Sequence, residues 1–196
     1  MIRFFDLIFS IFILLLFLPI GIVIAILIRI ESKGSVFYSQ VRIGKDEKQF
    51  KLLKFRSMLV DADKQGNLTV GAKDSRITRV GYVIRKFKLD EFPQFINVLL
   101  GQMSVVGPRP EVLEFVALYT AQQRKVLLVR PGITDEASLQ YFEENKLLAA
   151  SEDPKKTYID VVMPSKIAIN LAYLENRSLL TDLTVVGKTI LRIFRA

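Results

Sequence analysis

Two adjacent carboxylates, Asp90 and Glu91, and a cation held between prolines in Gly107-Pro108-Arg109-Pro110 are the residues of this chain best suited to chemistry. An ionised carboxylate can serve as a nucleophile or a ligand for a hard metal, and an arginine meets phosphate or carboxylate through two parallel N–H groups. Between them Phe92, Phe95, Ile96 and Leu99 recur at spacings of three and four, which predicts a helix starting at Asp90. Asp90 is then expected as its N-cap, where the positive end of the helix dipole keeps the carboxylate ionised and its pKa low. On these two residues alone, capping is the commoner role of such a pair. The sequence contains no Cys and no His, which excludes thiol nucleophiles, thiolate or imidazole zinc sites and Ser-His-Asp triads. Catalysis here must use carboxylates, hydroxyls, lysine or a metal held by oxygen.

The elements that must position these residues begin with an apolar run. With 51% hydrophobic residues in 196 the chain is richer in apolar residues than a soluble domain of its size needs, and Leu7 to Ile28 is interrupted only by Ser10, Pro19, Gly21 and Ala25. At about 1.5 Å per residue this run just crosses a hydrocarbon layer about 30 Å thick, so its length fits a span or a hairpin. Pro19, near the midpoint, removes a backbone donor and crowds the carbonyl of Leu15; Gly21 loosens the next turn. Basic residues flank both ends, Arg3 before and Arg29 and Lys33 after. Pro19 and the two-sided basic flanks favour a re-entrant helix hairpin over residues 1–32, broken at Pro19, while the pattern alone equally allows a signal anchor or a proline-kinked spanning helix.

Residues 33–196 read as one catalytic domain. Val36 to Ile43, a turn at Gly44-Lys45-Asp46-Glu47 and a return over Phe50 to Met58 predict a β-hairpin whose second strand carries Lys54 and Arg56 on one face. Two cations there suit a pyrophosphate, while the plainer reading is a solvated edge strand. Asp61 to Ser75 reads as a mobile loop beside the site, and Ile77 to Lys88 as a helix that gathers Arg79, Arg85, Lys86 and Lys88 just before the acid pair. Pro110 fits the first turn of a helix over Glu111 to Val129, stopped by Arg130-Pro131-Gly132. Helices over Pro164 to Glu175 and Thr181 to Arg195 follow. The last is basic and amphipathic, suited to the headgroup layer or to packing on the protein's own core. The expected fold class is mixed α/β, mainly helical: a monotopic membrane protein with an N-terminal re-entrant hairpin, a small β-hairpin and membrane-surface amphipathic helices. The net charge of +8 points to anionic partners without choosing among them.

Leu89-Asp90-Glu91-Phe92-Pro93-Gln94, Asn97-Val98-Leu99 and Met103-Ser104-Val105-Val106-Gly107-Pro108-Arg109-Pro110-Glu111 resemble the signature of the bacterial sugar transferases, the monotopic phosphoglycosyl transferases. Arg3-Phe4-Phe5-Asp6, Lys54-Phe55-Arg56-Ser57-Met58, Arg76-Ile77-Thr78-Arg79-Val80-Gly81, Arg130-Pro131-Gly132-Ile133-Thr134 and the Asn176 to Leu183 region extend the match, in the family's order, over nearly the whole chain. The resemblance implies transfer of a phospho-sugar from a nucleoside diphosphate sugar, expected to be a UDP-sugar, to undecaprenyl or another polyprenyl phosphate. This would be the first membrane step of glycan assembly, at the cytoplasmic face of a bacterial inner membrane. It implies Asp90 as nucleophile, forming an aspartyl-phosphosugar intermediate, and as ligand of Mg²⁺, with Glu91 as acid or base partner. Lys54, Arg56, Arg85, Arg109 and Arg130 would bind substrate phosphates, and Pro93, Gln94, Pro108 and Pro110 would shape the site. Membrane lipids are expected partners, nucleic acid is not, and a homodimer is left open.

Two departures from the family pattern stand out: Leu18 precedes Pro19 where members often have serine, and Asp135-Glu136-Ala137-Ser138-Leu139 stands where many have a glycine-containing segment ending in Gly-Arg-Asn. No donor specificity is therefore assigned to residues 135–145. Charge and anchor alone also fit a membrane-anchored basic binding or scaffold protein without catalysis, but that reading gives the acid pair beside the arginines no purpose.

Overall fold

The computed structural model describes residues 1–60, 62 and 74–195. Most of the loop expected over Asp61 to Ser75 lies outside the described residues. The apolar run folds as one helix, α1 (Ile2–Glu31), with Pro19 inside it. The expected hairpin is thus corrected to a single helical element. Proline removes one hydrogen bond, and residues on both sides of it are held on one surface. Phe5 stacks on Phe9 at 5.3 Å, Phe9 meets Phe95 at 6.2 Å, and Phe17 meets Phe92 at 5.7 Å. Beyond the proline, Ile24 and Ile28 are buried against Phe55 and Ile84. Asp6, Ser10, Ile24 and Ile28 form the buried stripe, and the opposite face exposes large apolar side chains such as Phe4 (70%) and Leu15 (67%).

Both ends of α1 are pinned by polar contacts. Arg3 donates to the carbonyls of Val98 (2.7 Å) and Met103 (3.3 Å), and the buried Asp6 accepts from Ser104 Oγ and the Val105 N–H (2.9 Å). At the other end, the Glu31 carboxylate accepts the Arg79 (2.7 Å) and Val80 (3.0 Å) N–H groups, filling two of the open donors at the start of α2 (Arg79–Lys86).

The β-hairpin forms as read, with β1 (Phe37–Ile43) antiparallel to β2 (Gln49–Phe55) and Tyr38 opposite Lys54. The helix expected from Asp90 starts later: Lys88 adopts a left-handed backbone (φ 57°), Leu89–Glu91 form a 3₁₀ turn, and α3 runs over Gln94–Leu99 with Pro93 as its N-cap residue. Asp90 caps nothing. Two three-residue strands that the sequence reading did not separate, β3 (Ser104–Val106) and β4 (Gly132–Thr134), pair in parallel. Their backbones approach so closely that a Cβ on Gly132 would lie 2.1 Å from the Gly107 nitrogen, a position only glycine can fill.

The helix expected over Glu111 to Val129 is also corrected, to α4 (Leu113–Val116) and a separate 3₁₀ segment (Gln123–Leu128). Glu111 is held in a bridge to Ile43, whose N–H donates to its carbonyl at 2.9 Å, so it cannot enter a helix. Thr120 and Gln123 cap each other reciprocally (2.8 and 3.3 Å), restarting the chain mid-segment. Further helices among the described residues are α5 (Glu136–Gln140), α6 (Glu144–Ala149), α7 (Pro154–Thr157), joined by a π-helical segment (Tyr158–Val162) to α8 (Met163–Glu175), and α9 (Leu179–Phe194). Val98, Met103 and Val106 are fully buried beneath the hairpin and α9, each worth about 1.5–3 kcal/mol of transfer free energy, and fix the platform behind the acid pair.

Candidate active site

The acid pair, one lysine and one arginine come together where β2, the 3₁₀ turn and the loop after β3 meet. The buried Asn97 side chain sets the first of these: its Oδ1 accepts the Leu53 N–H at 3.0 Å and its Nδ2 donates to the Lys51 carbonyl at 2.8 Å, stitching β2 to α3. Lys54 is thereby brought to Glu91, donating from Nζ to Oε1 at 3.0 Å. Arg109 donates to both oxygens of the same carboxylate, Nη1 to Oε2 at 3.3 Å and Nη2 in a shorter contact to Oε1. Its backbone is held too, the Arg109 N–H donating to Asp135 Oδ2 at 3.0 Å while Arg42 donates to the Pro110 carbonyl at 3.2 Å. Acids and cation are brought back toward each other, as the sequence suggested.

The two carboxylates differ in their surroundings. Burial alone raises the Glu91 carboxyl, but the charges of Arg109, Lys54 and Lys88 outweigh it and hold the group well below the ordinary glutamate range. Asp90 is 6% exposed and has no hydrogen-bond or ion-pair partner among the described residues. Burial pushes its carboxyl up, Glu91 adds to the rise, and Lys54, Arg85 and Lys88 oppose it. The low pKa expected for Asp90 therefore belongs to Glu91, since the dipole of a helix starting at Asp90 is missing and desolvation dominates. Glu91 also lifts the Arg109 guanidinium further above its ordinary value, whereas burial lowers Lys54.

The other expected residues fall into place unevenly. Arg85, half-buried on α2, acts on Asp90 through its field and makes no ion pair among the described residues. Pro93 and Gln94 are buried beneath the turn, and the Gln94 Nε2 has no partner among the described residues. The Pro108 carbonyl accepts the Gly132 N–H at 3.0 Å, fixing the loop that carries Arg109. Arg56 and Arg130 make no contact with the acid pair among the described residues. Arg56 turns to the C-terminus of α1, donating to the carbonyls of Ser32 (2.8 Å) and Lys33 (3.0 Å), which lie past the last helical turn, to Ser32 Oγ (2.9 Å), and to the Ile28 carbonyl (3.4 Å), which also accepts the Ser32 N–H. Arg130 bonds the Gly101 carbonyl at 2.9 Å and lines a separate cleft. Arg56→Ala is expected to lower stability by about 3 kcal/mol, from buried carbonyls left unpaired, while sparing donor KM. A raised KM with an unchanged melting temperature would return Arg56 to the site.

Three residues in the support of the site were not singled out from sequence. Asp135 caps α5, accepting the Ser138 N–H at 2.6 Å, and also accepts from Asn170 (2.7 Å) besides holding Arg109. Its Asp-x-x-Ser spacing was a readable cap signal. Arg42 pairs with Glu111 at 2.9 Å, and Tyr158 donates to the same carboxylate. With Arg42 and Glu111 69 positions apart, no local pattern could report that pair.

Among the described residues no group of three or more His, Cys, Asp or Glu side chains gathers as a cage for a metal. The open Asp90 carboxylate fits the other way Mg²⁺ is held, by one or two carboxylates together with substrate phosphates and water.

The structure thus sets a long hydrophobic helix on a small α/β body that carries an acid pair facing cations. The family model for bacterial sugar transferases matches residues 1–196, and the chain belongs to that family. It is 37% identical over 188 residues to the UDP-N-acetylgalactosamine-undecaprenyl-phosphate N-acetylgalactosaminephosphotransferase of Aeromonas hydrophila, covering 94% of this chain and 41% of that protein. With the UDP-glucose:undecaprenyl-phosphate glucose-1-phosphate transferase of Klebsiella pneumoniae it shares 38% over 192 residues, 96% of this chain and 39% of the other. The exopolysaccharide production protein ExoY of Rhizobium meliloti is 36% identical over 203 residues, 96% of this chain and 83% of that one. The chain thus spans about two fifths of the length of the first two relatives.

Proposed function

We propose that the chain transfers a phospho-sugar from a UDP-sugar to undecaprenyl or a related polyprenyl phosphate through an intermediate on Asp90. The observation that carries this reading is the buried carboxylate of Asp90, without a hydrogen-bond or ion-pair partner among the described residues, next to a carboxylate already bound by two cations. An Asp90 oxygen attacks the phosphorus that bears the sugar; the bond from that phosphorus to the bridging oxygen breaks, and the nucleoside monophosphate leaves with the electron pair. A phosphate oxygen of the polyprenyl phosphate then attacks the same phosphorus, and the Asp90 carboxylate departs unchanged. Arg85, Lys54 and Arg109 supply positive charge along the diphosphate. Glu91, ionised and doubly paired, is a weak base; its geometry suits holding Lys54 and Arg109 in place. Mg²⁺, held by Asp90 and the donor phosphates, would neutralise charge on the leaving nucleotide. The relatives' names, which pair undecaprenyl phosphate with UDP-sugars, support both substrates. The test is release of UMP from UDP-N-acetylgalactosamine and UDP-glucose with and without undecaprenyl phosphate. Acceptor-dependent release is expected from one of them; binding of both without release would favour the scaffold reading.

The acid side of the pH profile follows from Asp90. Attack needs the ionised form, so the rate falls as pH drops through a pKa that burial has raised above 3.8. In stability terms, the Asp90 contribution is present below its unfolded pKa and lost as pH rises through the folded one. The Glu91 contribution is present at neutral pH and lost as pH falls through its own depressed value. Arg85→Gln removes a charge that lowers Asp90 and should move the acid limb of UMP release to higher pH. A limb that stays or moves down would remove Arg85 from the neighbourhood of Asp90.

The membrane placement is part of the same proposal. One helix is long and apolar enough to cross a bilayer by length and composition, and only 11% of its apolar window is buried. Arg3 and Ile28, at opposite ends of it, rest on the same body, which favours both flanks on the cytoplasmic face of the inner membrane. Cysteines placed at positions 2 and 33 should both resist an impermeant thiol reagent in intact cells, and labelling of either would contradict this topology.

A further inference from the structure

A cleft of about 600 Å³ opens on the side of the molecule where α1 and α9 begin, lined by four basic side chains, Arg3, Lys45, Arg130 and Arg177, and by the carboxylate of Asp6. None of Lys54, Arg85, Asp90, Glu91 or Arg109 lines it, so it is separate from the acid pair. Its cations are not equally engaged. Arg177 is forked onto Asp182 (3.0 to 3.3 Å) and also reaches Ser104 Oγ and the Val106 carbonyl, and Arg3 is spent on backbone carbonyls. Both hold the walls. Arg130 uses only Nε, on the Gly101 carbonyl at 2.9 Å, and keeps both terminal nitrogens without a partner among the described residues. Lys45, exposed at the hairpin turn, has no carboxylate partner among them either. The guanidinium of Arg130 is a planar donor pair of the kind that binds phosphate in a two-point fashion.

The rim of the cleft says what carries the phosphate. The lining includes Met1 (98% exposed) at the start of α1, Leu179 at the start of α9 and Leu128 (64%) beside Arg130. A ligand with its phosphate on Arg130 therefore has apolar surface on either hand, which a lipid uses and a free anion does not. We propose that this cleft is a headgroup site for an anionic phospholipid of the phosphatidylglycerol type. Arg130 grips the phosphate, Lys45 adds charge at the mouth, and the acyl chains run along the first turns of α1 and α9. The site fixes how deep the N-terminal end of α1 sits. It rests on the membrane placement proposed above.

The experiment titrates the full chain in detergent with dioleoylphosphatidylglycerol, dioleoylphosphatidylcholine or inorganic phosphate and counts retained molecules by native mass spectrometry. Phosphatidylglycerol should be retained over phosphatidylcholine by the wild type, and Arg130→Gln should reduce that retention about fivefold, the effect of about one basic residue at a lipid surface. Lys45→Gln, at an exposed position that leaves the fold intact, should reduce it less, and Arg130→Lys should restore part of it. Equal phosphatidylglycerol retention by all four proteins would overturn the proposal, as would complete displacement by inorganic phosphate or by undecaprenyl phosphate at equal concentration to the lipid. Flotation on phosphatidylcholine vesicles separates the two levels of failure. A wild type that does not float refutes the membrane placement itself, while one that floats without lipid selectivity refutes the headgroup site alone.

Discussion

Asp90→Asn is expected to lose acceptor-dependent turnover by about 10⁵-fold, the scale seen when a covalent nucleophile is removed, and to be no less stable than the wild type. The two outcomes belong together. The carboxylate is buried and its only neighbours of opposite sign act at a distance, so ionising it in the folded state carries a desolvation cost. An amide of the same shape avoids that cost, and no hydrogen bond is broken because none is made among the described residues. An inactive variant with an equal or higher melting temperature would mark a group kept for chemistry. If instead stability fell by several kcal/mol along with activity, Asp90 would be a structural residue, and the open carboxylate in this structure would have lost its meaning.

Arg109→Lys is expected to cost about 10²-fold in kcat/KM for the donor although it keeps the charge. Arg109 meets Glu91 with two nitrogens, and Pro108 and Pro110 on either side, the Asp135 carboxylate on its N–H and Arg42 on the Pro110 carbonyl leave its backbone no freedom. Lysine has one nitrogen and a flexible stem; it can replace one of those contacts and none of the planar geometry. The loss should appear at limiting donor. Initial rates in that regime, compared with the same variant at saturating donor, check it; unchanged rates in both would take Arg109 out of phosphate binding.

Much of this arrangement was legible in the residues. The hairpin with Lys54, the helix before the acid pair (read as Ile77 to Lys88, formed as Arg79–Lys86), the acid pair and the proline-flanked arginine were readable because each is local: alternation, a 3.6-residue period, two adjacent acids, two prolines. What failed was set by contacts far apart in the chain. Arg56 shares a strand face with Lys54 on paper, yet the C-terminal carbonyls of α1, 24 residues earlier for Ser32, claim its guanidinium. Asp90 looked like a cap because an apolar period follows it, but the left-handed Lys88 and Pro93 delay the helix to Gln94. The long helix after Pro110 was lost to Ile43, which holds Glu111 extended across 68 positions. Pro19 was read as a break, whereas the aromatic side chains of Phe17, Phe92 and Phe95 pack across that region along one continuous helix. Asn97 and Asp135, which hold β2 and the Arg109 loop, are local polar residues whose distant partners no nearby residue indicates.

The central claim is that Asp90 carries the phospho-sugar between two half-reactions. The most direct measurement incubates the full chain with sugar-labelled UDP-N-acetylgalactosamine or UDP-glucose and Mg²⁺ in the absence of acceptor, quenches it, and reads intact mass and mapped peptides. The expected result is a mass increase of one phospho-sugar on the peptide containing Asp90, absent from Asp90→Asn and discharged when undecaprenyl phosphate is added. An adduct on Glu91, or turnover that needs both substrates at once with no adduct on the wild type, would contradict it.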